Sequence, residues 1–302
     1  MPRHLDHWTL LGCGALGGVL AGLLAQAGNQ VSLLRTNDAA VRLPLLLTWW
    51  DLQGQQHSFE PDFLQAKDAA NIRLLLVTTK AYQVQSALEP LVGVLPSATP
   101  ILLLHNGMGT ESWVHRAFPD NPVLLAVTSN GALRLGNEEF RHTGAGETWI
   151  GPANEAARLW QPLAELLARA LPHAGWSEEI RLRQWEKLVI NAIINPLTAL
   201  SGERNGSLLA RQYEVEALCE ELLPLLQRHG LSGELAFWRD KVLNVARLTA
   251  DNFSSMHQDL DAGRDSEIDY ITGFLLREAQ EAQLHIPLHQ QLYQAIKAKE
   301  RT

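Results

Sequence analysis

Three glycines near the start of the chain have the spacing of a phosphate-binding turn. Gly12, Gly14 and Gly17 follow the apolar run Trp8–Leu11 and precede an apolar helical pattern over Leu16–Ala27. In a Gly-x-Gly-x-x-Gly turn the first glycine makes the tight turn, the second lets a pyrophosphate approach the backbone, and the third lets helix and strand pack closely. The helix N-terminus offers free N–H groups to the phosphates. Because a strand and a helix flank the glycines, the pattern favours a dinucleotide site over a purely structural turn.

A basic residue at the end of the second predicted strand indicates which dinucleotide binds. Arg35 lies about 20 residues after the glycine turn, where an acidic side chain would accept hydrogen bonds from the ribose 2′-hydroxyl of NAD. An arginine instead matches the 2′-phosphate of NADP and favours that cofactor. The alternative is a solvated arginine at a strand end. Lys80 ends the next strand and is either a second cation for the phosphates or a surface lysine.

A polar stripe interrupts an otherwise apolar helical pattern in the second half of the chain. Lys187, Asn191 and Asn195 are spaced four apart and therefore share one face of the predicted helix, which Pro196 is expected to stop or kink. A helix that is apolar nearly all round is normally buried, and buried polar groups need partners. The stripe therefore faces either a ligand or a structural network on a neighbouring helix.

Two further side chains have more than one interpretation. Glu267 follows Asp265 and Ser266, which are plausible N-caps, so its carboxylate either complements a helix dipole or orients Lys187 or a substrate hydroxyl. Asn106 ends a central strand and is followed by two nearby glycines, expected to bring the backbone close to a ligand. Its amide either meets that ligand or caps the next helix.

The composition is that of a globular protein without a large nucleic-acid surface. Hydrophobic residues make up 46% and charged residues 19% of the 302 positions, and the net charge is −8, whereas nucleic-acid surfaces need clustered cations. The two cysteines, Cys13 and Cys219, fit a reducing cytosol, and no signal pattern or membrane-length apolar run occurs. We predict a cytoplasmic protein with a small-molecule substrate and without a metal, nucleic-acid or membrane partner; a homodimer is compatible with the sequence.

The elements that must position these side chains change in type along the chain. In the first part, short apolar strands alternate with helical patterns, which is typical of a doubly wound parallel sheet. The predicted strands are 8–11, 30–34, 72–77, 100–104 and 123–127, and the predicted helices are 16–27, 83–92 and 111–117. Residues 45–59 are expected to form an inserted hairpin, and residues 131–150 antiparallel strands that close the edge of the sheet.

Helical patterns dominate the second part. They cover residues 178–195, 208–228, 235–250, 267–282 and 289–299. We therefore predict an α/β protein: an N-terminal Rossmann-type doubly wound sheet over residues 1–175 that binds NADP, followed by an all-α substrate and catalytic domain over residues 176–302.

Taken in order, these segments resemble the ketopantoate reductase (2-dehydropantoate 2-reductase) family. The resemblance rests on the glycine turn 12–17, the block His105–Thr110, the helix Trp185–Pro196 with Lys187, and the segment Ser266–Phe274 with Glu267, and it covers essentially the whole chain. The glycine turn is shared by many dehydrogenases, whereas the lysine helix combined with the glutamate segment is more specific. The family implies NADPH-dependent reduction of the ketone of 2-dehydropantoate to (R)-pantoate, a step toward pantothenate and coenzyme A.

The resemblance also implies roles for individual residues. Lys187 matches the general acid of the family, and Glu267 matches a glutamate in its active site. Other positions match amides and a hydroxyl that contact substrate or cofactor: Asn106, Asn191, Asn195, Asn205, Asn252 and Ser255. Positions matching the cofactor site are Gly12, Cys13, Gly14, Ala15, Leu16, Gly17, Arg35, Lys80, Asn106 and Ala132. The match around Asn205 is the loosest.

The residue types suit ketone reduction. Hydride addition to a ketone carbon places negative charge on the ketone oxygen, which a protonated Lys187 stabilises and then protonates. Two other classes stay open: a related NADP-dependent dehydrogenase of another 2-oxo acid, and a non-catalytic NADP(H)-binding regulator. A regulator has no need of the Lys-Asn-Asn stripe together with the carboxylate, so their joint presence favours an enzyme.

Overall fold

A computed structural model describes residues 6–36 and 46–301, which group into two units. The first unit takes the chain up to His105 together with Thr110–Arg181, and the second takes Asn106–Gly109 together with the residues from Leu182 onward. The grouping of Asn106–Gly109 with the second unit is absent from the prediction, which divided the chain once, between residues 175 and 176.

The first unit holds all the strands of the described residues. In chain order they are β1 (His7–Leu11), β2 (Gln30–Arg35), β3 (Leu47–Trp50), β4 (Gln56–Phe59), β5 (Asp62–Gln65), β6 (Leu75–Val77), β7 (Ile101–Leu103), β8 (Val123–Thr128), β9 (Gly131–Arg134), β10 (Glu139–Gly144), β11 (Thr148–Pro152) and β12 (Ala174–Trp176). Among them, eight form one sheet in the order β12-β11-β8-β7-β6-β1-β2-β5.

The strand order of this sheet reverses at β1, which lies between β2 and β6. Strands β5, β2, β1, β6, β7 and β8 are parallel, so their carboxyl ends share one edge. The central strands are buried along their length, because helices cover both faces of such a sheet. The doubly wound prediction is confirmed, and a point of reversal of this kind is where ligands bind in open α/β sheets.

Four α-helices lie in the described part of this unit: α1 (Ala15–Gln26), α2 (Val84–Leu88), α3 (Glu111–Ala117) and α4 (Leu163–Ala170). The prediction of one helix over residues 83–92 is only partly correct. A 3-10 turn precedes α2 and another follows it at Glu89–Leu91. Pro90 lies in this second turn, where its missing N–H cannot continue an α-helical bond series.

A second sheet, of four strands in the described residues, has the order β4-β3-β10-β9. The predicted hairpin is confirmed for β3 and β4, and its first predicted residue, Leu45, lies outside the described residues. Strands β9 and β10 are antiparallel as expected, but they join β3 instead of closing the large sheet; β11 closes it, antiparallel to β8. Glycines on α1 explain the difference. A Cβ at Gly18 would lie 2.3 Å from the Phe140 ring, and one at Gly22 2.4 Å from Trp49 Nε1, so the small sheet packs directly on the helix.

In the second unit, the described residues form helices joined by turns and loops, without strands. Its helices are α5 (Ile180–Ser201, which begins at the end of the first unit), α6 (Gln212–Arg228), α7 (Leu235–Leu248), α8 (Ser255–Asp261), α9 (Thr272–Glu281) and α10 (Pro287–Lys299). Helix α5 is central, and Val189 and Ile193 have no exposed surface. Across the described ranges, no helix is both long and apolar enough to cross a membrane.

The structure narrows one local expectation in this unit and corrects another. Helix α5 does not stop at Pro196 but continues to Ser201, with the Thr198 hydroxyl donating to the carbonyl of Ile194 at 2.8 Å. The helix predicted over residues 267–282 begins only at Thr272, as α9. Glu267 lies in the turn before this helix. Ser266 caps that turn, because its Oγ accepts from the Ile268 N–H at 3.2 Å.

Candidate functional site

The glycine turn connects β1 to α1 at the reversal point of the large sheet. Gly12 has a φ of +101°, and a Cβ there would lie 2.7 Å from the backbone nitrogen of Thr79. A Cβ at Gly17 would lie 2.5 Å from Thr78 Oγ1, which itself donates to the Gly12 carbonyl at 2.7 Å. These two glycines are therefore required by packing between the ends of β1, β6 and α1.

Gly14 differs from its two neighbours. Apart from Gly14 itself, its chain neighbours and the adjoining helix backbone, no atom of the described residues lies within 4 Å of the position that a Cβ would occupy there. Gly14 is also the N-cap of α1, so no side chain caps the first N–H groups of that helix. The turn thus combines tight internal packing with an open, uncapped helix start, as the approach of a pyrophosphate requires.

Cationic side chains lie at or just after the carboxyl ends of β2 and β6, the two strands that flank β1. Arg35 is exposed at the end of β2, and Lys80 is half-buried just after β6. Burial raises the pKa of the Cys13 thiol to about 11, while Arg134 and then Arg35 oppose this rise. The Cys13 thiol is therefore protonated at neutral pH, and two guanidinium groups lie near enough to influence its pKa. The sequence analysis did not include Arg134 among the candidate cofactor residues. It lies two residues after Ala132 on β9, and this spacing could have indicated it.

A second constellation is built around Lys187 on α5. Its side chain is half-buried, and desolvation lowers the pKa of the ammonium to about 8, while the Glu267 carboxylate opposes that shift. Glu267 is only 4% exposed, and its Oε2 accepts from Asn106 Nδ2 at 3.1 Å. A lysine, a carboxylate and an amide from three distant parts of the sequence are thus brought together.

The glycines after Asn106 position this amide. The Met108 N–H donates to the Tyr270 carbonyl at 2.8 Å, and a Cβ at Gly107 would lie 2.5 Å from that same carbonyl oxygen. Gly109 lies against the Phe274 ring. The glycines therefore let the backbone approach the segment after Glu267. The alternative role of Asn106 as a helix cap is wrong, because Thr110 is the N-cap of α3.

Helix α10 fixes the turn that carries Glu267. The Ser266 N–H and hydroxyl both donate to Glu300 Oε1, at 2.9 and 2.7 Å. On the other side of Glu267, the Tyr293 hydroxyl donates to Asp269 Oδ1 at 2.6 Å. Because residues on both sides of the buried carboxylate are bound by α10 or by its C-cap Glu300, packing against this helix fixes the position of the turn.

The other residues of the polar stripe lie on α5 beside Lys187. Asn191 is half-buried, and Asn195 is buried with 6% exposure. The four-residue spacing places their amides along the helix face that carries the lysine. The stripe predicted from the sequence is therefore a continuous row of one cation and two amides.

The remaining predicted residues lie near the start of α8. Asn205 is buried, with its Nδ2 donating to Thr249 Oγ1 at 2.9 Å and its N–H to the Asn252 carbonyl at 2.9 Å. Asn252 and Ser255 are exposed, whereas Ser254 is buried and caps α8. The structure therefore brings Asn205 and Asn252 together, and one hydrogen of the Asn205 amide is bound within the protein.

Comparisons with known proteins agree on one family. The family model described as ketopantoate reductase PanE/ApbA matches residues 8–155, and the model of its C-terminal part matches residues 179–300. A 2-dehydropantoate 2-reductase of Shigella flexneri is 39% identical over 294 residues, which are 97% of this chain and 94% of that protein.

Two solved structures extend the likeness of the fold. D-mandelate dehydrogenase with NADH and anilino(oxo)acetate has a TM-score of 0.87 at 20% identity, with 98% of both chains covered. A dimeric ketopantoate reductase from Staphylococcus aureus has a TM-score of 0.79 at 19% identity, covering 98% of this chain and 99% of that one. At these identities the two solved structures show only that the fold is shared. The family models and the Shigella relative show that this chain belongs to the ketopantoate reductase family.

Proposed function

We propose that the protein reduces the ketone of 2-dehydropantoate to (R)-pantoate with NADPH, as a step of pantothenate and coenzyme A biosynthesis, and that Lys187 is the general acid. The observation that carries this proposal is the group formed by Lys187, Glu267 and Asn106. It joins a lysine whose pKa is lowered to about 8 to a buried, hydrogen-bonded carboxylate in a chain of the ketopantoate reductase family.

The first unit supplies residues that fit a phosphorylated dinucleotide. Gly14 leaves the start of α1 open and uncapped, and Arg35 places a guanidinium at the carboxyl end of β2. A guanidinium matches a phosphate through two parallel hydrogen bonds, so these residues support NADPH rather than NADH. The NADH in the D-mandelate dehydrogenase structure supports a nicotinamide cofactor for this fold.

Lys187 supplies the proton that the reduction requires. When bound, a nicotinamide cofactor would supply the hydride, and hydride addition to the ketone carbon leaves negative charge on the ketone oxygen. The Lys187 ammonium stabilises that developing charge and donates a proton to the oxygen, becoming a neutral amine. A pKa near 8 keeps the group mostly protonated at neutral pH and makes it a stronger acid than an ordinary lysine. Asn191 and Asn195 offer amides to the hydroxyl and carbonyl groups of the substrate.

Consumption of NADPH, followed by its near-ultraviolet absorbance, tests this function. We expect rapid turnover with 2-dehydropantoate and much slower turnover with pyruvate or phenylglyoxylate. Faster turnover of another 2-oxo acid would assign the protein to a related dehydrogenase activity. Binding of NADPH without turnover of any of these acids would instead support a nucleotide-binding regulator.

We further propose that the protein is a cytoplasmic homodimer. Its support is the dimeric relative from Staphylococcus aureus and the two cysteines, Cys13 and Cys219, which are both free thiols. Light scattering of the purified protein at micromolar concentration measures the mass directly.

The pH dependence of kcat/KM reports on the acid in the free enzyme. Lys187 must be protonated to act, so we expect activity to fall as pH rises through about 8. Glu267 raises the pKa of Lys187, and the substitution Glu267→Gln removes this stabilisation of the ammonium. We therefore expect the basic limb of the profile to move to lower pH in that variant.

Glu186→Gln is the matched control for this shift. Glu186 is next to Lys187 in sequence, but its carboxylate pairs with Lys241 at 3.0 Å. We expect the limb to stay in place in this variant. A limb that moves upward in Glu267→Gln, or equally in both variants, would contradict the assignment of Lys187 as the titrating acid.

A further inference from the structure

We propose that Arg134 is a second phosphate-binding cation of the cofactor site, acting with Arg35 beside the glycine turn. The inference rests on the proposed nicotinamide dinucleotide and adds a recognition residue that the resemblance does not supply. The chemistry recognised is a phosphate ester or anhydride, which such a dinucleotide carries as its pyrophosphate and, in NADPH, as its 2′-phosphate.

Strand register places Arg134 on the side of the small sheet that covers α1. Arg134 on β9 is paired with Phe140 on β10 in an antiparallel ladder. Directly opposed residues of such a ladder project from the same face. Phe140 is fully buried, and its ring lies where a Cβ of Gly18 would be, one turn beyond Gly14. The Arg134 side chain therefore leaves the strand on the face that packs on the start of α1.

The same face carries a residue already expected at the cofactor. Ala132 is paired with His142, which is buried, and Ala132 and Arg134 are alternate residues of one strand. Leu133 and its partner Arg141 project from the opposite face. One face of β9 thus holds both Ala132 and the arginine.

Charge at the turn agrees with this placement. Burial raises the pKa of the Cys13 thiol, and Arg134 opposes that rise more strongly than Arg35 does. Glu138 acts in the other direction. Two guanidinium groups therefore act on the middle of the glycine turn, where a lone arginine would leave much of a phosphate dianion's charge unbalanced.

The Arg134 guanidinium is hydrogen-bonded to the loop that follows β9, and some of its N–H groups remain available for a ligand. Its Nε donates to the Gly136 carbonyl at 2.9 Å, and its Nη2 to the Asn137 carbonyl at 3.1 Å and, less closely, to the Asn137 side chain at 3.4 Å. A guanidinium has five N–H donors, so others remain for a ligand. The exposed group is preorganised because the hairpin bonds fix its direction.

Calorimetric titration with nucleotide fragments tests the proposal without relying on turnover. The variant Arg134→Gln keeps an amide donor for the hairpin carbonyls but removes the charge. We expect it to bind at least one of two fragments more weakly, on the order of 10-fold or more: 2′,5′-ADP, which carries the 2′-phosphate, or 5′-ADP, which carries the pyrophosphate. A loss confined to one fragment identifies the phosphate that Arg134 holds. Unchanged affinity for both, or an equal loss with uncharged adenosine, would overturn the proposal.

Two further variants sharpen the test. Glu138→Gln removes the opposing carboxylate, so we expect it to bind the same fragment more tightly. Arg141→Gln is the matched control, because Arg141 is an exposed arginine of the same sheet that projects from the other face and lies over the Trp50 ring. Weakening of equal size in Arg141→Gln would mean that only net charge matters and would overturn a specific role.

Failure of this inference is distinguishable from failure of the proposed function. If the unaltered protein binds the fragments but 2-dehydropantoate is not reduced, the fragment data still decide the role of Arg134. If the unaltered protein binds neither fragment, the cofactor proposal fails and the role of Arg134 fails with it. Retained fragment affinity in Arg134→Gln, with normal turnover of 2-dehydropantoate, would overturn the role of Arg134 alone.

Discussion

Replacement of Lys187 by alanine is expected to lower kcat for 2-dehydropantoate by at least about 100-fold, because a positioned proton donor contributes about 100- to 10,000-fold. The substitution removes the ammonium beside Glu267 and leaves that carboxylate its hydrogen bond from Asn106. Because the buried Glu267 carboxylate then loses its nearby cation, we expect this variant to lose some folding stability, which is measured separately from turnover. Steady-state kinetics with saturating NADPH measure the effect, and thermal unfolding followed by circular dichroism verifies the fold.

Two companion variants separate proton donation from charge. Lys187→Arg keeps a positive charge, but a guanidinium does not give up a proton near neutral pH, so we expect it to remain far below wild-type turnover. Lys241→Ala removes a partly exposed lysine of the same unit that lies over the Phe237 ring, and we expect nearly normal turnover. Turnover near the wild-type value in Lys187→Ala would remove Lys187 from the mechanism.

Short-range patterns in the sequence were enough to predict the parts of the fold that local chemistry dictates. The alternation of apolar strands and helices gave the doubly wound sheet, and four-residue spacing placed Lys187, Asn191 and Asn195 on one helix face. The glycine turn was predictable because its spacing between a strand and a helix is a short motif. Gly12 and Gly17 are fixed by contacts with Thr78 and Thr79, which follow the neighbouring strand.

Long-range packing decided what the sequence left open. The hydrogen bond between Asn106 and Glu267 joins residues 161 positions apart, so no spacing rule predicts it. Glu267 looked like a helix-start carboxylate, but α9 starts only at Thr272, and Glu300 near the end of the chain holds the turn in place. Similarly, the small sheet packs on α1 where Gly18 and Gly22 leave room for the rings of Phe140 on β10 and Trp49 on β3, so this packing depends on glycines of the helix as well as on the strands.

Discrimination between the two nicotinamide dinucleotides is expected to depend on Arg35. Its side chain is exposed at the end of β2, where its backbone pairs with Gln65 of β5. Alanine there removes a charged partner of the 2′-phosphate and leaves the strand pairing intact. Hydrogen bonds to charged groups contribute about 1.5–3 kcal/mol, which corresponds to about 10- to 100-fold in affinity. We therefore expect Arg35→Ala to weaken NADPH by this factor and NADH hardly at all.

An acidic side chain at the same position has a larger expected effect. Arg35→Asp replaces attraction of the 2′-phosphate by repulsion and offers the ribose hydroxyl of NADH an acceptor, so the preference should fall further and turn toward NADH. Arg73→Ala is the matched control, because Arg73 is exposed at the amino end of β6, on the opposite edge of the same sheet. Dissociation constants for both dinucleotides, from tryptophan fluorescence quenching, measure the change. Equal weakening of NADPH and NADH in Arg35→Ala would show that Arg35 does not recognise the 2′-phosphate, because only a group in contact with that phosphate separates two ligands that differ by it alone.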